Sequence, residues 1–354
     1  MSGDRSPGAV GCQAGEVRLV AAPDKFRGTA TAAEVAAAIG RAARASGWRC
    51  DEVPVADGGD GLLDVLGGPN RTAVVTGPLG DPVEAGWRLD RGTAVIEMAR
   101  ASGLELVGGP EGNDPIAADT HGTGELIQRA VEAGATRVLV GLGGSATTDG
   151  GLGALRALYP HQRLRGVELL VACDVRTPFL DAAEVFGPQK GASRAQVRLL
   201  TNRLARLADV YREDHGIDVT TLPGAGAAGG LAGGLAAIGA QLLDGFALVA
   251  DEVELDRALE GADLVVTGEG FLDAASFDGK VVGGVAEMGV DLGVPVVAVV
   301  GEEVHSDDVG AAAALAGVAE VVSLVERFGR ERAMTETTAC VEEAVAELLV
   351  RHRA

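Results

Sequence analysis

The first patterned stretch of the chain is Val17 to Ala22, apolar apart from Arg18, which reads as a strand. A loop, PDKFRG, follows it. From Ala32 to Ala45 the apolar positions recur at helical spacing in an alanine-rich segment, and a second strand is expected at Glu52 to Val55. The alternation returns further on. A helix at Gly124 to Ala133 leads into RVLVGLGG, one near Asp256 to Leu259 leads into ADLVVTGEG, and one at Val281 to Leu292 leads into VPVVAVVG. Short β-branched runs placed after amphipathic helices indicate a parallel sheet covered by helices on both faces, so the fold class is α/β.

Two stretches depart from that rhythm. Residues 71–100 carry short strands between turn signals and no long helix, which indicates antiparallel pairing. From about Gly166 to Ala250 the chain shows the strand VELLVACDV, a helix of mixed charge from Ala195 to Tyr211, and a glycine-rich run. These departures suggest a second α/β domain inserted into the first. The expected division is residues 16–70, 118–160 and 255–354 for one domain, and 71–117 with 161–254 for the inserted one. A last helix, Thr337 to Arg351, closes the chain.

The length of 354 residues allows two cores, and 47% hydrophobic with 23% charged residues is the balance of a folded globular protein. No apolar run reaches the roughly 18 residues of a membrane span, and the N-terminal stretch has no apolar signal core, so a cytoplasmic protein is expected. A formal net charge of -21 argues against nucleic acid or an anionic membrane as partner. It leaves a small anionic ligand open, because salt screens distant carboxylates beyond about 10 Å. Cys12, Cys50, Cys173 and Cys340 are scattered and form no zinc or disulfide pattern. Of 30 basic residues only three are lysines, Lys25, Lys190 and Lys280. Each lies in a turn-rich segment, PDKFRG, GPQKGA or FDGKVVGG, where a compact ammonium suits phosphate.

Five glycine-rich segments adjoin the expected strands, at residues 23–28, 56–61, 141–151, 224–230 and 267–280. Loops at the carboxyl ends of strands are where open α/β sheets collect ligands. In GGSATTDGG, Gly143, Gly144, Ser145 and Thr147 can present N–H and hydroxyl donors to a phosphate. The same segment also reads as a tight strand-to-helix turn capped by Thr148 or Asp149. GAGAAG, with Gly226 and Gly229, matches a dinucleotide fingerprint, but Pro223 before it does not end a core strand. No Walker A motif, metal-binding histidine pair or nucleophile elbow is present. Phosphoryl transfer needs cations, carboxylates for magnesium and a group to orient the attacking hydroxyl. Asp57, Asp60, Asp149, Asp174, Glu269 and Asp273 are the candidate carboxylates, and each also has a reading as a cap or Asx turn.

The blocks APDKFRG with TAAEVAAAI, PVADGGDG, VIEMARASGL, THGTGELI, GLGGSATTDGG, ACDV followed by VFGPQKGA, GAGAAGGL, and DLVVTGEGFLD with GK occur in this order. Taken together, they resemble the type-1 glycerate kinase family of bacteria. The resemblance implies a flavodoxin-like parallel-sheet domain interrupted by a second α/β domain, with the site in the cleft between them. It also implies transfer from ATP, with Mg2+, to a hydroxyl of D-glycerate, giving 2-phosphoglycerate or 3-phosphoglycerate. A monomer or homodimer is expected. Asp57, Asp149, Asp174 and Lys280 are the catalytic candidates, with Asp57 and Asp174 for magnesium. Lys25, Arg27, Lys190, Glu269 and Asp273 join the glycine-rich donors as binding candidates.

The chain departs from the family pattern where Lys25 replaces a small residue and Arg27 a lysine. Phe271 and Ala275 stand where arginine and glutamine are usual. Two other readings remain: a relative that acts on or merely binds another small hydroxy acid, and a dinucleotide-dependent oxidoreductase built on GAGAAG.

Overall fold

The computed structural model describes residues 17–26, 28–277, 279–304 and 307–352. Its strands in chain order are β1 (Arg18–Pro23), β2 (Arg49–Glu52), β3 (Arg71–Thr76), β4 (Pro82–Asp90), β5 (Thr93–Glu97), β6 (Arg137–Gly141) and β7 (Glu168–Cys173). They continue as β8 (Gln241–Asp244), β9 (Leu264–Gly268), β10 (Phe271–Leu272), β11 (Val296–Val300), β12 (Glu302–Glu303) and β13 (Val318–Ser323).

One sheet runs β13-β11-β9-β1-β2 and is parallel throughout. Counted within this body alone, that is the flavodoxin-like order 2-1-3-4-5. Its central strands are buried on both faces, which is why LVV of β9 and VVAVV of β11 read as apolar runs, while the buried Thr267 hydroxyl donates to the Ala22 carbonyl. The helix Ala32–Ala45 covers one face and packs on the helix Thr337–His352. Thr31 and Glu34 close its start as a capping box.

The second sheet runs β3-β4-β5-β6-β7-β8, antiparallel up to β5 and parallel from β5 to β8. The antiparallel pairing expected at residues 71–100 is there. All of this sheet is inserted between β2 and β9 of the first. The helix Gly245–Glu252 lies between the two bodies: Phe246 and Val249 join a core with Val20 and Val265, while Leu248 packs with Leu139, Leu170 and Ala172.

Two expectations are corrected. The expected division places residues 118–160 with the first sheet, whereas β6 pairs with β5 and β7 in the second. The helix His121–Glu132 is a short crossover from β5, and strands joined that way lie side by side. The second strand is Arg49–Glu52, earlier than Glu52 to Val55. Pro54 has no N–H to continue a ladder, although Val53 and Val55 still donate to Ala21 and Pro23 carbonyls at 2.8 and 3.0 Å.

Candidate active site

In an open parallel sheet the crevice forms where strand order reverses, here between β1 and β9. The chain leaves β1 through Asp24 and Lys25 and leaves β9 through Glu269. Both strands are held level there, since the Asp24 N–H donates to the Gly268 carbonyl at 2.8 Å. The loop at residues 56–61, after β2, carries Asp57 and Asp60 toward the second body. Gly58, at φ +83°, lies against the backbone of Gly245 and the side chain of Ala172, so a Cβ there would come within 2.5 Å of Gly245 Cα. Only glycine lets this loop pass so near the carboxyl ends of the second sheet. The buried Glu97, at the end of β5, anchors its exit by accepting from Gly61 and Leu63 N–H groups at 2.8 and 3.0 Å.

Two cavities meet at Asp174 and Val175, just beyond β7. One, of about 380 Å³, is lined by residues that include Lys25, Asp57, Gly143, Gly144, Ser145, Asp174 and Lys190. The other, of about 720 Å³, has Asp174, Arg176, Leu242, Asp244, Ala275 and Lys280 in its wall. Lys280 also stands at the start of the helix Val281–Leu292. Lys25 Nζ donates to the Asp60 carbonyl and lies 3.7 Å from its carboxylate.

Burial strains the charges of this region. Asp174 is pushed up to about 6, first by loss of water and then by the charge of Asp57. Burial raises Glu269 to about 7, against the pull of Ser276 and Lys280, and its Oε1 has no hydrogen-bond partner. Asp24 is raised by burial and next by Asp57. Lys190 moves the other way, down to about 7, because a buried ammonium loses its hydration. The result is a set of carboxylates short of cations beside a cation short of anions.

The sequence matches the model of the glycerate kinase family over residues 19–160 and 159–352. The chain belongs to the glycerate kinase family. It is 40% identical over 334 residues to a glycerate 2-kinase of Escherichia coli K12, covering 83% of this chain and 87% of that protein. It is 37% identical over 380 residues to a glycerate kinase of Halalkalibacterium halodurans, covering 94% and 97%. A crystal structure ascribed to a glycerate kinase 2 of Salmonella typhimurium LT2 superposes with a TM-score of 0.80 at 33% identity, over 96% of this chain and all of that one.

Within this family member, Lys25, Asp57, Asp174, Lys190, Gly143, Gly144 and Ser145 come together, and Lys280 joins them across Asp174. Several other expected site residues have structural work instead. Asp149 accepts from Thr120 N–H and Oγ1 and from the Gly151 and Gly153 N–H groups, at 2.8 to 3.1 Å, and so ties the turn to both neighbouring helices. The N-cap of the helix Leu152–Ala157 is Gly151, so neither Thr148 nor Asp149 is the cap that the sequence suggested. The Thr147 hydroxyl is buried, while its carbonyl accepts from Lys190. Asp273 closes a turn with Ser276. Gly226 and Gly229 face backbone: a Cβ at either would overlap the carbonyl of Pro178 or Thr147.

GAGAAG therefore packs against the 141–151 turn, and the segment before it is the 3-10 turn Val219–Thr221, with no core strand, so the dinucleotide reading falls. Arg27 lies outside the described residues. Sequence reasoning named the segment holding Asp24 but not Asp24 itself, and it passed over Glu97. The signal for Asp24 was its place directly after the apolar residues 19–23; for Glu97 there was none beyond a lone acid after TAVI.

Proposed function

We propose that this protein transfers the γ-phosphoryl group of ATP to a hydroxyl of D-glycerate, giving 2-phosphoglycerate and ADP. The observation that carries this reading is the joining of two cavities at Asp174, one holding Lys190 and Ser145 and the other Lys280. The smaller suits a three-carbon acid. The larger offers an apolar wall at Leu242 and Leu243 and cations at Arg176 and Lys280 for a nucleotide and its phosphates. Phosphoryl transfer needs such positioning and charge neutralisation more than covalent help from the protein.

Asp57 and Asp174 fit magnesium by their chemistry. They are hard oxygen donors, and the charge of Asp57 already disfavours ionisation of Asp174. Among the described residues no group of three or more His, Cys, Asp or Glu is placed to hold a metal. Magnesium does not ask for one, since it keeps waters and uses one or two carboxylates with substrate phosphates. When bound, it would offset the charge that develops on the transferred phosphate. Glycerate 2-kinase is the name of the Escherichia coli relative, which favours the 2-hydroxyl over the 3-hydroxyl. ATP as donor puts the reaction in the cytoplasm.

The test is ADP release, coupled to a detector enzyme, over a panel of small hydroxy acids, with phosphorus NMR of the product. Turnover with D-glycerate and a 2-phosphate signal are expected. No turnover with any hydroxy acid would sink the proposal, and a 3-phosphate signal would correct its regiochemistry.

A further inference from the structure

Lys190 is a buried cation whose close partners are neutral. Its residue is 2% exposed, and Nζ donates to Ser145 Oγ at 2.7 Å and to the Thr147 carbonyl at 2.6 Å. An ammonium has three donors, so one remains for the cavity that the residue lines. The Phe186 ring lies 6.0 Å away. The charged group that supports the ammonium from the neighbouring turn is Asp149, but that carboxylate is taken by four donors of its own. The other charged groups around the same cavity are Lys25, Asp57, Asp60 and Asp174. Lys25 is engaged by Asp60, so Lys190 is the cation left for an anion that enters.

We propose that Lys190 is the seat of the acceptor's carboxylate and takes up a proton from solvent as that carboxylate binds. The inference rests on the glycerate reading and adds to it the group that selects an acid over a neutral polyol. A buried ammonium without a counter-ion gives up its proton readily; burial already brings this one down to about 7. A carboxylate on the third donor reverses the balance, because a charge-assisted hydrogen bond favours the ammonium. A neutral acceptor such as glycerol supplies no such charge and leaves the buried group unpaired. Sites built this way reject the analogue that lacks the matching group by roughly 10²-fold or more.

Titration calorimetry on the whole protein, in two buffers of different ionisation enthalpy, counts the protons taken up. D-glycerate should bring in few protons at pH 6 and about one per site at pH 8.5, with affinity weakening roughly tenfold per pH unit above about 7. Glyceramide, which has an amide in place of the carboxylate, should bring in none. Lys190→Met should abolish the uptake and weaken glycerate by about 100-fold, while a non-hydrolysable ATP analogue binds as before. Should that variant fail to fold, the wild-type titrations with glycerate and glyceramide decide alone. Glycerate binding without proton uptake at pH 8.5, or uptake that accompanies the nucleotide analogue instead, overturns the assignment while leaving the kinase reading intact. If glycerate neither binds nor supports ADP release, both are overturned.

Discussion

Gly229 lies against the carbonyl of Thr147, the same carbonyl that accepts from Lys190 Nζ. A Cβ at Gly229 would sit 2.7 Å from both Thr147 C and Thr148 Cα, and its φ of +68° belongs to the left-handed region. The turn that holds Lys190 is thus fixed from behind by the glycine-rich segment. Gly229→Ala should cost about 2 to 4 kcal/mol, from overpacking against backbone and from left-handed strain. Thermal denaturation measures it, and an unchanged melting temperature would remove this buttress from the argument.

Asp149 separates a structural role from catalysis. Its carboxylate serves four donors, and desolvation raises its pKa. Asp149→Ala should lower stability by at least about 3 kcal/mol, since several buried donors lose their acceptor. The fraction that stays folded should keep its kcat within a few-fold. A fully stable variant with kcat reduced 100-fold would restore Asp149 to the chemistry.

Much of this arrangement was legible in the sequence. The helices Ala32–Ala45 and Val281–Leu292 stand where their spacing placed them, and all three lysines reach the cleft. These are local signals, set by periodicity and composition. What stayed hidden depends on partners distant in the chain. The apolar run of β6 does not say which sheet it joins, because both sheets are parallel there and demand the same residues. Asp24 owes its raised pKa to burial and to Asp57, neither visible along the chain. The glycines of GAGAAG satisfied a ligand motif while serving close backbone packing, and the two uses share one composition.

Glu269 should make the ligand-free protein less stable as pH rises. Its carboxyl titrates near 7 in the folded state against an ordinary 4.5, so the folded protein holds the proton more tightly than the unfolded chain. For an acid raised in this way, the stabilising contribution is full below about 4.5 and is lost as pH climbs through about 7. Glu269→Gln removes the titration. The variant should melt with the parent near pH 4.5 and gain on the order of 3 kcal/mol over it at pH 8. Equal melting temperatures at both pH values would show that Glu269 stays ionised without penalty.

Lys280 and Lys190 should separate in kinetics, because they line different cavities. Lys280→Met removes a half-buried cation from the larger cavity and should raise KM for ATP and lower kcat, together costing about 100-fold in kcat/KM. KM for glycerate should move little.

Asp57 and Asp174 carry the sharper test, because removing either should help the fold and harm the reaction. Burial and the charge of Asp57 both work against ionisation of Asp174, which is pushed up to about 6, so above that pH the cleft holds carboxylates at a cost in stability. Asp174→Asn abolishes that cost, and Asp57→Asn lowers it by removing the neighbouring charge. Each variant should melt at or above the parent's temperature at pH 8. On the proposed magnesium role, each should also lose kcat by about 100-fold or more, with a raised magnesium requirement. Measured side by side at pH 8, stability and kcat should therefore move in opposite directions. A fall in both would identify the pair as structural, and unchanged kcat would take them out of the reaction.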